Sequence, residues 1–114
     1  MAYAPVPDTP LADALIAITA ASFERCDLAE REIMLARIAA LAAVGAPPRS
    51  YAVNAGAASS TGLTLDDAQG ILIAVAPIIG TALTGAAAVN ITEGLGLALA
   101  AAAEAAAEDK EVTA

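Results

Sequence analysis

The stretch Ile33-Met34-Leu35-Ala36-Arg37-Ile38-Ala39-Ala40-Leu41-Ala42-Ala43-Val44 constrains the fold more than any other. On a helical wheel it is apolar on every side, with the single exception of Arg37. A helix that is apolar all round is a buried helix, so the pattern predicts a central helix with the rest of the chain packed around it. A lone arginine in such a helix must find a carboxylate, a carbonyl or water. Glu32 opens the stretch but stands five residues from Arg37, so the two do not share one helical face. They reach different neighbours or bracket a pocket.

Composition supports helices and little else. Apolar residues make up 59% of the 114, with Ala in excess, and aromatics only 3%. Ala is the best helix former and a poor core filler. The expectation is one all-α domain of closely spaced helices. A chain this short buries roughly two thirds of its surface on folding. The remaining apolar surface predicts exposed patches, and hence an obligate homo-oligomer.

Charge and missing residues exclude several functions. The net charge of -8 argues against nucleic acid and anionic membrane surfaces as partners. No basic residue precedes Arg25, so the start lacks the charged region of a signal peptide. Ile71–Thr92 holds 22 residues without a charge, long enough to span a bilayer. Pro77, Gly80, Thr81, Thr84, Gly85 and Asn90 interrupt it, and no Lys or Arg flanks it. The reading is therefore a soluble, cytoplasmic protein. There is one cysteine, Cys26, and no histidine. An intrachain disulfide is impossible, and the usual neutral-pH acid/base and the commonest metal ligand are missing. No metal and no cofactor are predicted. The acid pairs Asp66-Asp67 and Glu108-Asp109 read as a helix cap and a solvated tail.

Punctuation divides the chain into about five to six helices. Residues 1–8 read as an extended arm, 9–107 as the helical domain and 108–114 as a frayed tail. Thr9, Pro10 and Asp13 open a first helix that carries Leu11, Leu15 and Ile18 and ends near Phe23 to Cys26. Asp27 and Glu30 predict a cap for the central helix, which stops at Gly45 before Pro47-Pro48. A short helix follows over about 48–58, then a loop at Ser59–Gly62. Thr64 and Asp67 cap a helix that Pro77 kinks or ends. The last helix runs from about Ala82 to Glu104 or beyond. Gly94 and Gly96 inside it point to close helix approach or a kink.

Three pieces carry a family resemblance. Glu32–Leu41 resembles a Glu, apolar run, Arg, apolar, Ala pattern. Gly62-Leu63-Thr64-Leu65-Asp66-Asp67-Ala68 is similar to a Gly-Leu-Thr followed by two acids. Ala76-Pro77-Ile78-Ile79-Gly80-Thr81-Ala82 looks like a Pro-and-Gly turn before a last helix. In this order they resemble the carboxymuconolactone decarboxylase and alkyl hydroperoxidase D-like family, over about residues 27–100. The resemblance implies an all-helical fold that assembles into trimers or hexamers. Members work either as Cys-x-x-Cys/His peroxidases with an upstream Glu or as decarboxylases of lactone acids. This chain departs at the redox centre. Counted from Glu32, the Cys, Cys and His positions fall on Val44, Pro47 and Tyr51. Counted back from Gly62, they fall on Pro47, Ser50 and Asn54. Cys26 matches neither register, and one thiol without a partner cannot run a dithiol cycle within a chain.

The expectation is then a decarboxylase-like protein without the redox centre, binding or converting a small carboxylated compound. The alternative is a non-catalytic structural or regulatory oligomer on the same fold. The candidate catalytic groups are Tyr51, as hydrogen-bond donor or general acid, and the carboxylates Glu93 and Glu32. Arg37, Arg49 and Asn54 are the candidate substrate-binding residues. Each has a plainer reading: a structural ion pair for Arg37, an ordinary surface helix with a half-buried Tyr51 around Arg49 and Asn54. Glu93, the only charge between Asp67 and Glu104, is a possible partner for Arg37. Asn90, in a small-residue stripe, reads as an interhelical hydrogen-bond donor. Phe23 reads as a core anchor and Cys26 as a small buried hydrophobe.

Overall fold

A computed structural model describes residues 9–113, with side chains as far as Glu108. The arm predicted at 1–8 lies outside the described residues. The described chain is all helix: α1 (Pro10–Arg25), α2 (Glu30–Ala43), α3 (Pro48–Ala52), α4 (Ala55–Ser60), α5 (Leu65–Ile79) and α6 (Thr81–Thr113).

Local chemistry sets the boundaries. The Ala12 N–H donates to Oγ1 of Thr9 at 3.0 Å, and Pro10 begins α1. Asp27 does not open α2: the helix starts at Glu30, and Oε1 of Glu32 accepts from the Ala29 N–H at 2.9 Å. At α5 the predicted capping box is present in both directions. The Asp67 N–H donates to Thr64 Oγ1 at 3.0 Å, and the Thr64 N–H donates to Asp67 Oδ2 at 2.9 Å.

Two helices end alike. Gly45 (φ 69°) closes α2 and Gly62 (φ 76°) closes α4, in the left-handed conformation that glycine adopts at least cost. In each, the residue after the glycine donates back to the last turn: Ala46 to the Leu41 carbonyl and Leu63 to the Ala58 carbonyl. Both of these residues are buried, so each turn folds the chain back onto the core.

Besides the start of α2, and Ser59-Ser60, which end α4 instead of forming a loop, three boundaries differ from the sequence reading. The segment after Pro47 is two helices, broken where the Asn54 side chain donates to the Ser50 carbonyl at 3.0 Å. Pro77 neither ends α5 nor stops it short of Ile79; the helix ends at Gly80. α6 runs on to Thr113, through most of the segment read as a tail.

The core lies around α6 rather than α2. Ala87, Ile91, Leu95 and Leu99 recur every fourth residue along one buried stripe of α6. Against that stripe pack α2, α3, α4 and α5, bringing Met34, Ile38, Ala42, Tyr51, Ala58, Ala68, Ile71 and Leu72. Gly94 makes the closest approach. A Cβ there would strike the Pro48 carbonyl and lie 2.7 Å from Cβ of Tyr51. Gly96 has no such role, its nearest neighbour being Thr92 on its own helix. α2, expected to be buried all round, buries only Ile33, Met34, Ile38 and Ala42. Its remaining apolar surface is uncovered because α1 does not lie over it: no residue of α1 is buried.

Candidate functional site

The six candidate residues lie in dispersed local settings. Glu32 is committed to the N-terminus of its own helix through the Ala29 N–H. Asn54 donates to Ser50 one turn back. Arg49 and Glu93 are exposed. Tyr51, expected to be half-buried, is fully buried, and its hydroxyl has no hydrogen-bond partner. Burial pushes the phenol's pKa above its ordinary value. A phenol held neutral and without an acceptor is a poor proton donor to any group outside the core.

Arg37 does not make the structural ion pair of its plainer reading. It is half-exposed, and among the described residues it has no carboxylate partner; Glu93 is not paired with it. Instead Nη2 donates to Oγ of Ser22 at 3.1 Å, and the guanidinium lies 4.1 Å from the centre of the Phe23 ring. A guanidinium over an aromatic face is an attractive cation–π arrangement. Phe23 therefore acts as a platform for Arg37 at the edge of the core, as well as packing against it. Cys26, expected to be buried, is half-exposed, and with Arg37 and Ser22 it lines a cleft of about 240 Å³.

Tyr51, Glu93, Arg49, Asn54 and Glu32 line none of the principal clefts; of the six candidates only Arg37 does. Asn90 does what its setting predicted, donating to the Ala46 carbonyl at 3.1 Å and tying α6 to the turn after α2. Among the described residues no group of three or more acids or thiols is placed to hold a metal ion.

One groove was not singled out from the sequence. It runs between α2 and α5, measures about 510 Å³, and is lined by Leu35, Ala39, Gly70, Ala74 and Val75 among others. One end is polar: Arg31 Nη2 lies 2.9 Å from Asp67 Oδ2, beside Asp66. The signal was present as matching four-residue spacings, Arg31-Leu35-Ala39 on one helix and Asp66-Gly70-Ala74 on the other. It was hidden because α2 was read as buried on every side.

Among the described residues, one helix is long and apolar enough to cross a membrane by length and composition, α6 over Thr81–Glu108. The same segment supplies the core stripe from Ala87 to Leu99.

Fold and side-chain placement together define an all-helical protein with one large open apolar groove and dispersed polar candidates. Comparisons with protein-family models, with curated proteins and with solved structures each found no match to this chain.

Proposed function

We propose that this chain is a non-catalytic, self-associating helical protein of carboxymuconolactone decarboxylase-like architecture, with a structural or regulatory role. One observation carries this: the groups that catalysis would need are dispersed, with Tyr51 in the core, Glu32 in a cap and Glu93 exposed. Self-association is supported by apolar side chains left in solvent on three helices and at the cap of a fourth. Ile18 is 65% exposed, Ile73 69%, Ile78 86% and Leu97 88%, and Val44 at the end of α2 is 77% exposed. Patches of this kind mark interfaces. The resemblance makes a trimer or hexamer the expected assembly.

A second reading rests on Arg37. Its guanidinium has donors beyond the one given to Ser22 and lines a cleft. That setting suits a small carboxylate, which a guanidinium can hold with two parallel bonds.

The test is calorimetric titration of the full chain with acetate, succinate and benzoate, alongside an assay for consumption of lactone acids. The non-catalytic reading predicts no consumption. Saturable binding that Arg37→Leu abolishes and Arg49→Leu leaves intact supports the carboxylate site. Turnover lost in Tyr51→Phe would overturn the non-catalytic reading.

A further inference from the structure

α1 and the α2–α5 groove are complementary surfaces of one molecule, and each lacks a partner within it. α1 exposes Leu11 (68%), Leu15 (55%), Ile16 (68%) and Ile18 (65%). A helix of 16 residues is marginal in water without an apolar face to bury. The groove offers such a face. Its walls are Leu35, Ala39, Ala74 and Val75, and at Gly70 even an added Cβ would meet nothing within 4 Å.

A chain cannot close this gap with its own α1. The last turn of α1 is fastened to Arg37 through Ser22 and Phe23. At 3.6 residues per turn, Arg37 points roughly 160° away from both Leu35 and Ala39. Only Cys26–Ala29 links α1 to α2. α1 therefore meets α2 on the Arg37 side, across Ala36 from the groove.

We propose that α1 is an exchanged arm that seats in the α2–α5 groove of a second copy of this chain. The proposal rests on the self-association put forward above and gives it a surface. Charge sets the direction. Arg25 lies in the last turn of α1, and the polar end of the groove holds Asp66 beside the Arg31–Asp67 pair. Antiparallel to α5, α1 brings Arg25 to Asp66 and its own C-terminus to the N-terminus of α5, where the helix dipoles attract. Lengths agree: on the face of α1 that carries Arg25, Ile18 lies seven positions away and Leu15 ten, and the same steps from Asp66 reach Ile73 and Ala76, past Gly70 and Ala74 of the groove. Leu11 then falls within about one turn of the exposed Ile78. Area agrees as well. Two reciprocal contacts, each burying the stripe Leu11, Leu15 and Ile18 and its groove, remove on the order of 1,500 Å² from water, the size of a standard specific interface.

The experiment is sedimentation equilibrium of the full chain over a range of concentrations, with two variants. Gly70→Trp fills the groove at a position with open space. Leu15→Lys combined with Ile18→Lys removes the apolar face of α1, where nothing is buried. Neither change touches the core, and circular dichroism should report unchanged helix. The expected result is a wild-type mass at least twice 11.1 kDa and a shift of each variant toward the monomer. Mixing the two variants should restore part of the association, since one intact arm and one intact groove remain. A wild type at monomer mass throughout would overturn both this inference and self-association. An oligomer that neither variant alters would overturn the arm and leave self-association standing. Association only with phosphatidylcholine vesicles would overturn the arm as well.

Discussion

α1 and α6 are both Ala-rich helices with apolar side chains at helical spacing, yet they contribute to the fold in opposite ways. α6 buries Ala87, Ile91, Leu95 and Leu99 along one stripe and receives four other helices. α1 buries nothing. The difference does not lie in helix propensity or capping, since α1 has a complete start, with Thr9, Pro10 and Asp13 all in place. It lies in whether small residues let a neighbour come close. Gly94 admits the Pro48 carbonyl and Tyr51 to the surface of α6. No residue of α1 is buried, and Phe23 in its last turn packs against the core only in part. A helix in this chain is made by its ends and held by its neighbours, and α1 has only the first.

The sharpest contrast comes from truncating a leucine on each helix. Leu95→Ala should cost about 2–5 kcal/mol, the usual range for a buried leucine. Leu15→Ala, measured at a concentration where the protein is monomeric, should change stability by under about 0.5 kcal/mol. Equal losses by urea denaturation would erase the distinction. Gly94→Ala comes next. Ala favours a helix over Gly by about 1 kcal/mol, but here the methyl meets a backbone carbonyl that cannot rotate away. A net loss of about 1–3 kcal/mol is expected, read as a lower melting temperature. A gain would show that α3 shifts freely on α6.

The cap of α5 gives a smaller effect. Thr64→Ala should cost about 1 kcal/mol. The Thr64 N–H, with Arg31, holds the Asp67 carboxyl below its usual pKa. Its contribution is complete above the unfolded value of about 4 and is lost as pH falls through the depressed one. Melting temperatures followed from pH 6 to pH 2 should fall at the acid end, and less steeply in Asp67→Asn. The smallest change is at Tyr51. Removing a buried hydroxyl that has no partner should leave stability unchanged or raise it by about 1 kcal/mol. A clear loss in Tyr51→Phe would mean that the hydroxyl has a partner in solution.

Much of the architecture was legible from punctuation. Thr9-Pro10, Gly45 before Pro47-Pro48, Gly62, Thr64-Asp67 and Gly80 mark ends that the structure keeps. Asn90 and Gly94 were also legible, because an amide or a glycine on an apolar stripe has few other uses. The site was not. Arg37 was expected to pair with an acid, yet Ser22 and Phe23 receive it, and neither residue carries a charge that pattern reading could match. The α2–α5 groove went unread because apolarity on every side was equated with burial by the same chain. An Ala-rich helix can instead be left open on one side for a partner.

The most direct test of the account is amide hydrogen exchange across a dilution series, comparing α1 with α6. The account predicts that the α6 amides around Leu95 stay protected at every concentration, while α1 amides gain protection only as copies associate. α1 amides that exchange freely in a fully associated sample would contradict it.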